Sequence, residues 1–306
     1  MILAIGLAAD DTFAYTLAAL RTNRIAFHAL DVAQLVLFGQ IDLRPADPLR
    51  SIIALGARRH ILEQYTGVLV RLVNIAEGAP NQALSARASG FYLGLSQLFT
   101  VAPMRVVNPP LANRSNFSKG LHSALLATLT GWHVPRTLVT NSPEAAADFI
   151  ASCPDGVVFK GASAVKTWAT LYDPKLHHGQ LAYLPDCPTL FQERIAGPDI
   201  RVHVVDDQLF AELIESTELD YRSCRKNTYQ AVALPPEIVS GCLRLRKTLM
   251  APFLGIDFKI DHISGQWYVL EANSMPCYQG YDRRAGGMIS RALAEWLTSE
   301  TLLKQN

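Results

Sequence analysis

Gly255-Ile256-Asp257-Phe258-Lys259-Ile260-Asp261, then His262-Ile263-Ser264-Gly265-Gln266, then Trp267-Tyr268-Val269-Leu270-Glu271-Ala272-Asn273, is the most informative run in the chain. Its outer segments read as strands and its middle as a turn, which predicts a β-hairpin with a five-residue loop centred on Ser264. In that register Asp257 lies directly opposite Glu271. Strand periodicity puts Asn273 on the face of Glu271, so the two carboxylates fall within the ~4.5–5.5 Å of cross-strand neighbours, with the amide close by. Like charges so placed repel. A hard divalent cation turns that repulsion into attraction, and Mg²⁺ commonly takes one or two carboxylates plus substrate phosphates. On spacing alone the alternative stays open: Asp257 faces solvent beside Lys259 and Glu271 is a paired surface acid, because a one-residue slip flips both faces.

Upstream, Ile200 to Val205, a turn at Asp206-Asp207 and Leu209 to Ile214 give further antiparallel signals. A two-residue turn there sets Arg201 across from Glu212 and on one face with His203. An ordinary Arg201–Glu212 ion pair is the plain reading, and His203 reads as a packed strand histidine. Val157-Val158-Phe159-Lys160 is a short apolar strand ending on a lysine. At the N-terminus, Ile2 to Leu7 reads as a strand, Asp10-Asp11 as a cap, and Phe13, Leu17 and Leu20 recur at helical spacing. Ile25 to Leu30, ending at Asp31, fits a second strand, parallel to the first through a right-handed crossover. No GxGxxG closes the first turn, which argues against a dinucleotide site there. Arg58 to Tyr65 and Leu84 to Leu98 read as helices, Val68 to Leu72 as a strand, and Pro109-Pro110 as a connection. Phe117 to Gly131 reads as a helix, Val134 to Thr140 as a strand, and Ser142-Pro143-Glu144 as the start of another helix. Ile289, Leu293 and Trp296 mark a helix packed on the core.

The 306 residues suggest two modules or one large lobed domain, and 49% hydrophobic with 18% charged residues excludes disorder. The 28 Lys+Arg against 27 Asp+Glu leave a net charge of +1, without the basic excess of a nucleic-acid or anionic-membrane binder. Any charged ligand must be gripped locally. No apolar run is long enough for a membrane span, and Met1 to Ala9 lacks a basic leader, so the expected setting is the cytoplasm. Five scattered cysteines (Cys153, Cys187, Cys224, Cys242, Cys277), with no CxxC, disfavour a disulfide framework and a zinc site.

Gly-Ile-Asp-Phe at 255–258, followed by Leu-Glu-Ala-Asn-Ser-Met-Pro at 270–276, resembles the metal-binding end of ATP-grasp ligases. Other segments agree in order. Phe191-Gln192-Glu193-Arg194-Ile195 resembles the interlobe hinge that binds adenine, Pro198-Asp199-Ile200-Arg201-Val202 the "DIR" strand of RimK-like enzymes, and Asp220-Tyr221-Arg222 the "DFR" segment that follows. Lys119 and Lys160 sit where that family places its two ATP lysines. The likeness implies an α/β fold: an N-terminal α/β domain over 1–112, then a two-lobed ATP-grasp fold with mixed and antiparallel sheets, its small lobe 113–190 and its large lobe 191–306.

It further implies ATP with Mg²⁺, or Mn²⁺ in its place, held by Asp257, Glu271 and Asn273. Lys119 and Lys160 would neutralise phosphate oxygens, Gln192, Glu193, Arg194 and Ile195 would hold adenine, and Asp199 the ribose hydroxyls. Arg201, helped by Arg222, would hold the carboxyl substrate and stabilise its developing charge. The implied enzyme is an ATP-dependent carboxylate–amine ligase, or carboxylate–hydroxyl ligase, that makes an amide or ester through an acyl phosphate and releases ADP and phosphate. It resembles RimK-like enzymes and the graspetide macrocyclases, which join side chains within a ribosomal peptide. Free amino acids, a protein tail and a precursor peptide are all open as substrates, as is a homodimer. The alternatives are an ATP-grasp small-molecule kinase and a nucleotide-binding regulatory module without turnover. The chain departs from the pattern at Gly161-Ala162-Ser163-Ala164-Val165, with a single glycine where many relatives have a glycine-rich flap, and at Cys224, where RimK-like ligases usually have Asn.

Overall fold

The computed structural model describes residues 1–112, 119–162, 168–223 and 226–299. The chain opens with a parallel sheet of β1 (Ile2–Gly6), β2 (Phe27–Asp31), β6 (Gly67–Arg71) and β7 (Arg105–Val107), in the order β2-β1-β6-β7. Every residue of β1 is buried, as a central parallel strand covered on both faces requires. Leu3 and Ile5 pack on one side with Leu35, Val68 and Phe91, and Ile2 and Ala4 on the other with Phe13, Ile289 and Leu293. The crossover to β2 is α1 (Asp11–Thr22), whose first turn is capped by the Asp10 side chain accepting from the Phe13 amide. Helices α2 (Val32–Phe38) and α3 (Gln82–Val101) cover one face.

The residues read as a helix over Arg58 to Tyr65 instead supply β5 (Arg58–Ile61) and a 3₁₀ turn (Leu62–Gln64). β5 closes an antiparallel meander with β3 (Gly39–Asp42) and β4 (Ile52–Leu55). So short an apolar pattern fits either period. The Gly56-Ala57 turn decides it: Gly56 sits at φ +60°, where glycine is favoured, and folds β5 back on β4.

α4 (Lys119–Thr130), ended by Gly131 at φ +70°, leads into a second antiparallel sheet. That sheet has the order β10-β9-β11-β8, from β8 (Thr137–Thr140), β9 (Val157–Gly161), β10 (Thr170–Leu171) and β11 (Thr189–Glu193). β8 is shorter than the strand read from sequence. α5 (Pro143–Ala151), capped by Ser142 as expected, and α6 (Pro174–His177) belong to this region.

The last sheet, β14-β13-β12-β15-β16, is antiparallel throughout: β12 (Asp199–Val205), β13 (Gln208–Glu215), β14 (Thr228–Ala231), β15 (Phe253–Ile260) and β16 (Trp267–Asn273). Central β12 is buried at all seven positions. Ile200, Val202 and Val204 enter a core with Ile238 and Leu245 of α7 (Pro236–Thr248), and the alternate positions Arg201 and His203 face the other way. α8 (Gln279–Arg284) and α9 (Met288–Thr298) follow, with Ile289 and Leu293 buried as expected.

In the β15–β16 hairpin, Ile260 pairs with Trp267 and Phe258 with Val269, so the loop spans 261–266 and is one residue longer than expected. A bulge beside Asp257/Phe258 absorbs the extra residue at Leu270, and Asp257 still opposes Glu271. No helix among the described residues is long and apolar enough to cross a membrane.

Candidate active site

Register alone brings three charged side chains to one place. β12 lies between β13 and β15, and Arg201 is the backbone partner of both Glu212 and Asp257, while Asp257 is also the partner of Glu271. The side chain of Arg201 turns to Asp257, Nη1 donating to Oδ2 at 2.6 Å, rather than to Glu212 as the plain reading of the sequence had it. Glu212 has a different cation. It accepts from Arg284 Nη2 at 2.6 Å, and that guanidinium lies 3.7 Å from the Tyr229 ring centre and 4.8 Å from that of Tyr281.

Burial raises the Asp257 carboxyl above its ordinary range and the opposing Glu271 adds to this, while Arg201 pulls it down. Asp257 Oδ1 is buried and has no hydrogen-bond partner among the described residues. Asn273 donates from Nδ2 to Glu271 Oε1 at 2.7 Å, so its amide oxygen is the atom a hard cation would use. Among the described residues no cluster of three His, Cys, Asp or Glu could hold a metal. Two opposed carboxylates and an amide are nevertheless a fitting donor set for Mg²⁺, which fills its remaining positions with water and phosphate. An orphaned buried carboxylate oxygen is the feature such an ion would satisfy.

Arg201 is 6% exposed. Burial works against its charge, and Asp257, with Tyr221 and Tyr281, holds the guanidinium above its usual range. Beneath it His203, left out of the site on sequence grounds, is held neutral by burial and by Arg201 itself, so its Nε2 can accept from Arg201 Nε at 3.4 Å. The room for Arg201 comes from Gly255, where a Cβ would lie 2.1 Å from Arg201 Nη2 and 2.7 Å from Pro276 Cβ. Gly255→Ala is expected to destabilise by about 1–3 kcal/mol, as overpacking does, and to displace the guanidinium. A denaturant midpoint equal to wild type would show that the site yields without strain.

The residues matched to the nucleotide line the same cavity of about 740 Å³ as Arg201, Asp257, Glu271 and Asn273: Lys160, Gln192, Glu193, Arg194, Ile195 and Asp199. The Lys119 side chain, like Cys224, lies outside the described residues. Gln192 donates to Thr137 Oγ1 at 3.0 Å and Glu193 is ion-paired with Arg136 at 2.7 Å, so both side chains brace the 192–195 segment. Gly197, at φ +152°, passes so close to β15 that a Cβ would sit 1.9 Å from the Ile260 carbonyl oxygen. Lys259 Nζ then bonds both the Gly197 carbonyl, at 3.1 Å, and Asp199 Oδ2, at 3.0 Å.

Burial pushes the Asp199 carboxyl up to about 6 from its ordinary 3.8, against the pull of Lys259. Between these values the folded protein holds a proton the unfolded chain has released, so the Asp199 contribution makes stability fall as pH rises through that window. Asp199→Asn is expected to make that slope shallower. Melting temperatures of both proteins between about pH 4 and 6.5 check this, and parallel curves would contradict it.

Arg222 lines the same cavity, held by Asp220 through Nε at 2.8 Å and Nη2 at 2.5 Å. Sequence reading missed Arg71, Asp10, His122, Tyr221 and Tyr281, all of which line the cavity. His122 accepts from the Ala272 amide through Nε2 at 2.9 Å, which fixes β16 between Glu271 and Asn273. Tyr281 and Tyr221 share a hydrogen bond of 3.1 Å between their hydroxyls. Buried Asn108, at the end of β7, donates to the Ser274 carbonyl and accepts from the Phe253 amide at 3.0 Å, binding the first sheet to the loop after Asn273.

No protein-family model matches the chain, and no curated protein matches it significantly. Solved structures do match. The macrocyclase MdnC of Microcystis aeruginosa MRC, bound with precursor peptide MdnA, is 22% identical with a TM-score of 0.80, over 98% of this chain and 100% of its own. The ATP-grasp ligase PsnB, complexed with a minimal precursor, is 25% identical with a TM-score of 0.79, over 97% of each chain. A RiPP-associated ATP-grasp ligase of Chryseobacterium gregarium, in complex with ADP and a leader and core peptide, is 20% identical with a TM-score of 0.78, over 100% of this chain and 98% of its own. The resemblance read over about residues 113–297, with an N-terminal domain before it, agrees with likenesses that run along 97–100% of the chain, and the chain has the fold of these macrocyclases and ATP-grasp ligases.

Proposed function

We propose that the protein is an ADP-forming ATP-grasp ligase that joins a carboxylate to an amine or hydroxyl, with a precursor peptide as the substrate class. One observation carries the reading: Arg201, Asp257 and Glu271 meet through strand register in a cavity that also takes in Lys160 and the 192–195 segment. A pure binding module needs no buried arginine beside a carboxylate pair. The structural neighbours bind ADP, Mg and precursor peptides, and this supports the same ligands here. The division into 1–112, 113–190 and 191–306 is part of the proposal; the separate sheets support it in outline, but β11 (Thr189–Glu193) pairs with β8 and β9, so the sheets favour a second boundary after residue 193.

In this reading the substrate carboxylate attacks the γ-phosphate of ATP, ADP leaves, and the acceptor then displaces phosphate from the acyl carbon with loss of a proton. Arg201 and Arg222 hold the carboxylate oxygens as charge moves on to the phosphoryl group. Asp199 and the 192–195 segment fix the nucleoside, and Lys160 lies toward the phosphates. A bound Mg²⁺ would neutralise phosphate oxygens from Asp257, Glu271 and Asn273. Holding both substrates in one cavity supplies the orientation that the second step requires. A cytoplasmic setting belongs to the same proposal, supported by the free thiols of Cys153, Cys187, Cys242 and Cys277.

Thermal unfolding with ADP, with and without Mg²⁺, tests it. Saturation at about 100 times Kd is expected to stabilise the fold by roughly 2.7 kcal/mol, and more weakly without the metal. No shift with ADP or ATP would leave the fold without its defining ligand.

A further inference from the structure

β16, which carries Glu271 and Asn273, is the last strand of its sheet, so the backbone groups facing away from β15 have no neighbouring strand among the described residues. In a regular antiparallel strand such outward amides recur at every second residue. Here they are Val269 and Ala272, three apart, because the bulge at Leu270 adds a residue between them. The stretch that ends in Glu271 and Asn273 is therefore both an edge and irregular, and such backbone opens more readily than the middle of a sheet. Both outward amides are nevertheless bonded, and by one neighbouring stretch of chain. Val269 donates to the His133 carbonyl at 2.9 Å, and Ala272 to Nε2 of His122 on α4 at 2.9 Å. The carbonyls within a helix are taken by its own amides, so the bond to Ala272 requires a side-chain acceptor of the reach that His122 has.

We propose that His122 is a positioning residue for the metal: by holding the Ala272 amide it sets the separation of the Glu271 and Asn273 donor atoms, and with it the affinity for Mg²⁺. This rests on the ligase reading above and adds a residue that acts through the strand rather than on the ion. Ala272 is the single residue between the two ligands. Their side chains share a face and bond each other at 2.7 Å, so a rotation at the Ala272 peptide moves both. His122 is 5% exposed and its bond to the amide is buried, which leaves no water to replace the acceptor. As an acceptor Nε2 carries no hydrogen, and the hydrogen of the ring is on Nδ1. His122 stands one helical turn after Lys119, the residue assigned to the phosphates, so α4 joins the nucleotide lysine and the metal ligands to one rigid element.

The test titrates Mn²⁺, a paramagnetic substitute for Mg²⁺, into the full chain saturated with ADP and reads the free ion by electron paramagnetic resonance. His122→Leu, which has no acceptor, is expected to weaken Mn²⁺ binding by about 10–100-fold, as loss of a partner behind a metal ligand does, with a much smaller change in metal-free ADP affinity. His122→Gln, whose Oε1 can stand near the place of Nε2, should bind Mn²⁺ almost as wild type does. His122→Asn, whose acceptor stops short of the amide, should bind it as weakly as the leucine variant. A merely structural role would lower the melting temperature of His122→Leu and leave the Mn²⁺ affinity of the folded protein unchanged, and that result would overturn the proposal. So would a glutamine variant as weak as leucine. If the leucine variant does not fold, asparagine against glutamine makes the same comparison, and equal Mn²⁺ affinities in that pair count against the role. A wild type that binds ADP but no Mn²⁺ would instead remove the metal site of the ligase reading, and the role of His122 with it.

Discussion

Replacing Arg201 by alanine is expected to lower turnover by about 10²–10³, as loss of one preorganised oxyanion contact does, with a much smaller change in nucleotide affinity. It should also destabilise the fold. Arg201 and Asp257 are 6% and 14% exposed at the side chain and 2.6 Å apart, and removing one partner of a buried pair costs about 3–5 kcal/mol because the other charge is left uncompensated. The sign of the pH dependence identifies the cause. Burial and Glu271 already raise the Asp257 carboxyl and Arg201 is what lowers it, so the variant raises it further. Where Asp257 is protonated the buried charge disappears. The stability deficit of Arg201→Ala should therefore be small at acidic pH and grow as pH rises. Denaturation of both proteins from pH 4.5 to about 8 reads this directly, and a constant deficit would assign the loss to packing of the aliphatic stem instead. Arg201→Lys should not restore turnover, since a point charge cannot reproduce the planar fork. Arg201→Ala combined with Asp257→Asn should recover part of the stability and none of the activity.

The difference between what could be read and what could not follows from the range of the interactions. The opposition of Asp257 and Glu271 is local: one hairpin sets it, and it survived a miscounted loop because the bulge at Leu270 restored the phase. The caps at Asp10 and Ser142 are likewise written in adjacent residues. Arg201 was placed on its strand and across from Glu212, as the register has it, but its ion pair is with Asp257, because β12 has two neighbours and the hairpin rule sees one. That β15 is the second neighbour is a long-range fact. The clue lay in Gly255, which leads the segment and is too short to block the guanidinium. Arg71 escaped notice for a similar reason. Its strand was legible, but its place in the cavity is set only once β6 lies beside β1 and the Met275 loop arrives from more than two hundred residues away. Arg58 to Ile61 failed at shorter range, where a four-residue strand offers too little pattern to outvote a helix.

Glu271→Gln separates a metal ligand from a structural acid, because the two roles predict different changes in stability. Glu271 opposes Asp257 across the hairpin, and its charge raises the Asp257 carboxyl. As an isostere, glutamine keeps the volume and can still accept from Asn273 Nδ2, which lies 2.7 Å from Oε1. What it removes is a charge that repels Asp257 and supports the Arg222 guanidinium. These effects oppose one another, so the ligand-free variant should melt close to the wild-type temperature. With ADP, the extra stabilisation that Mg²⁺ brings to wild type should vanish, since two hard anionic ligands have become one. Turnover should fall by about 10²–10³ or more, because the metal contributes several kcal/mol of charge stabilisation. A large drop in the ligand-free melting temperature would show that Glu271 anchors the hairpin through a contact of its own. Near-normal Mg²⁺-dependent turnover would move the metal off β16, leaving Asp257 with its orphaned oxygen as the sole acidic ligand. The expected combination, a fold of near wild-type stability and a metal response lost, is what like charges held together for a cation should show when one of them is neutralised.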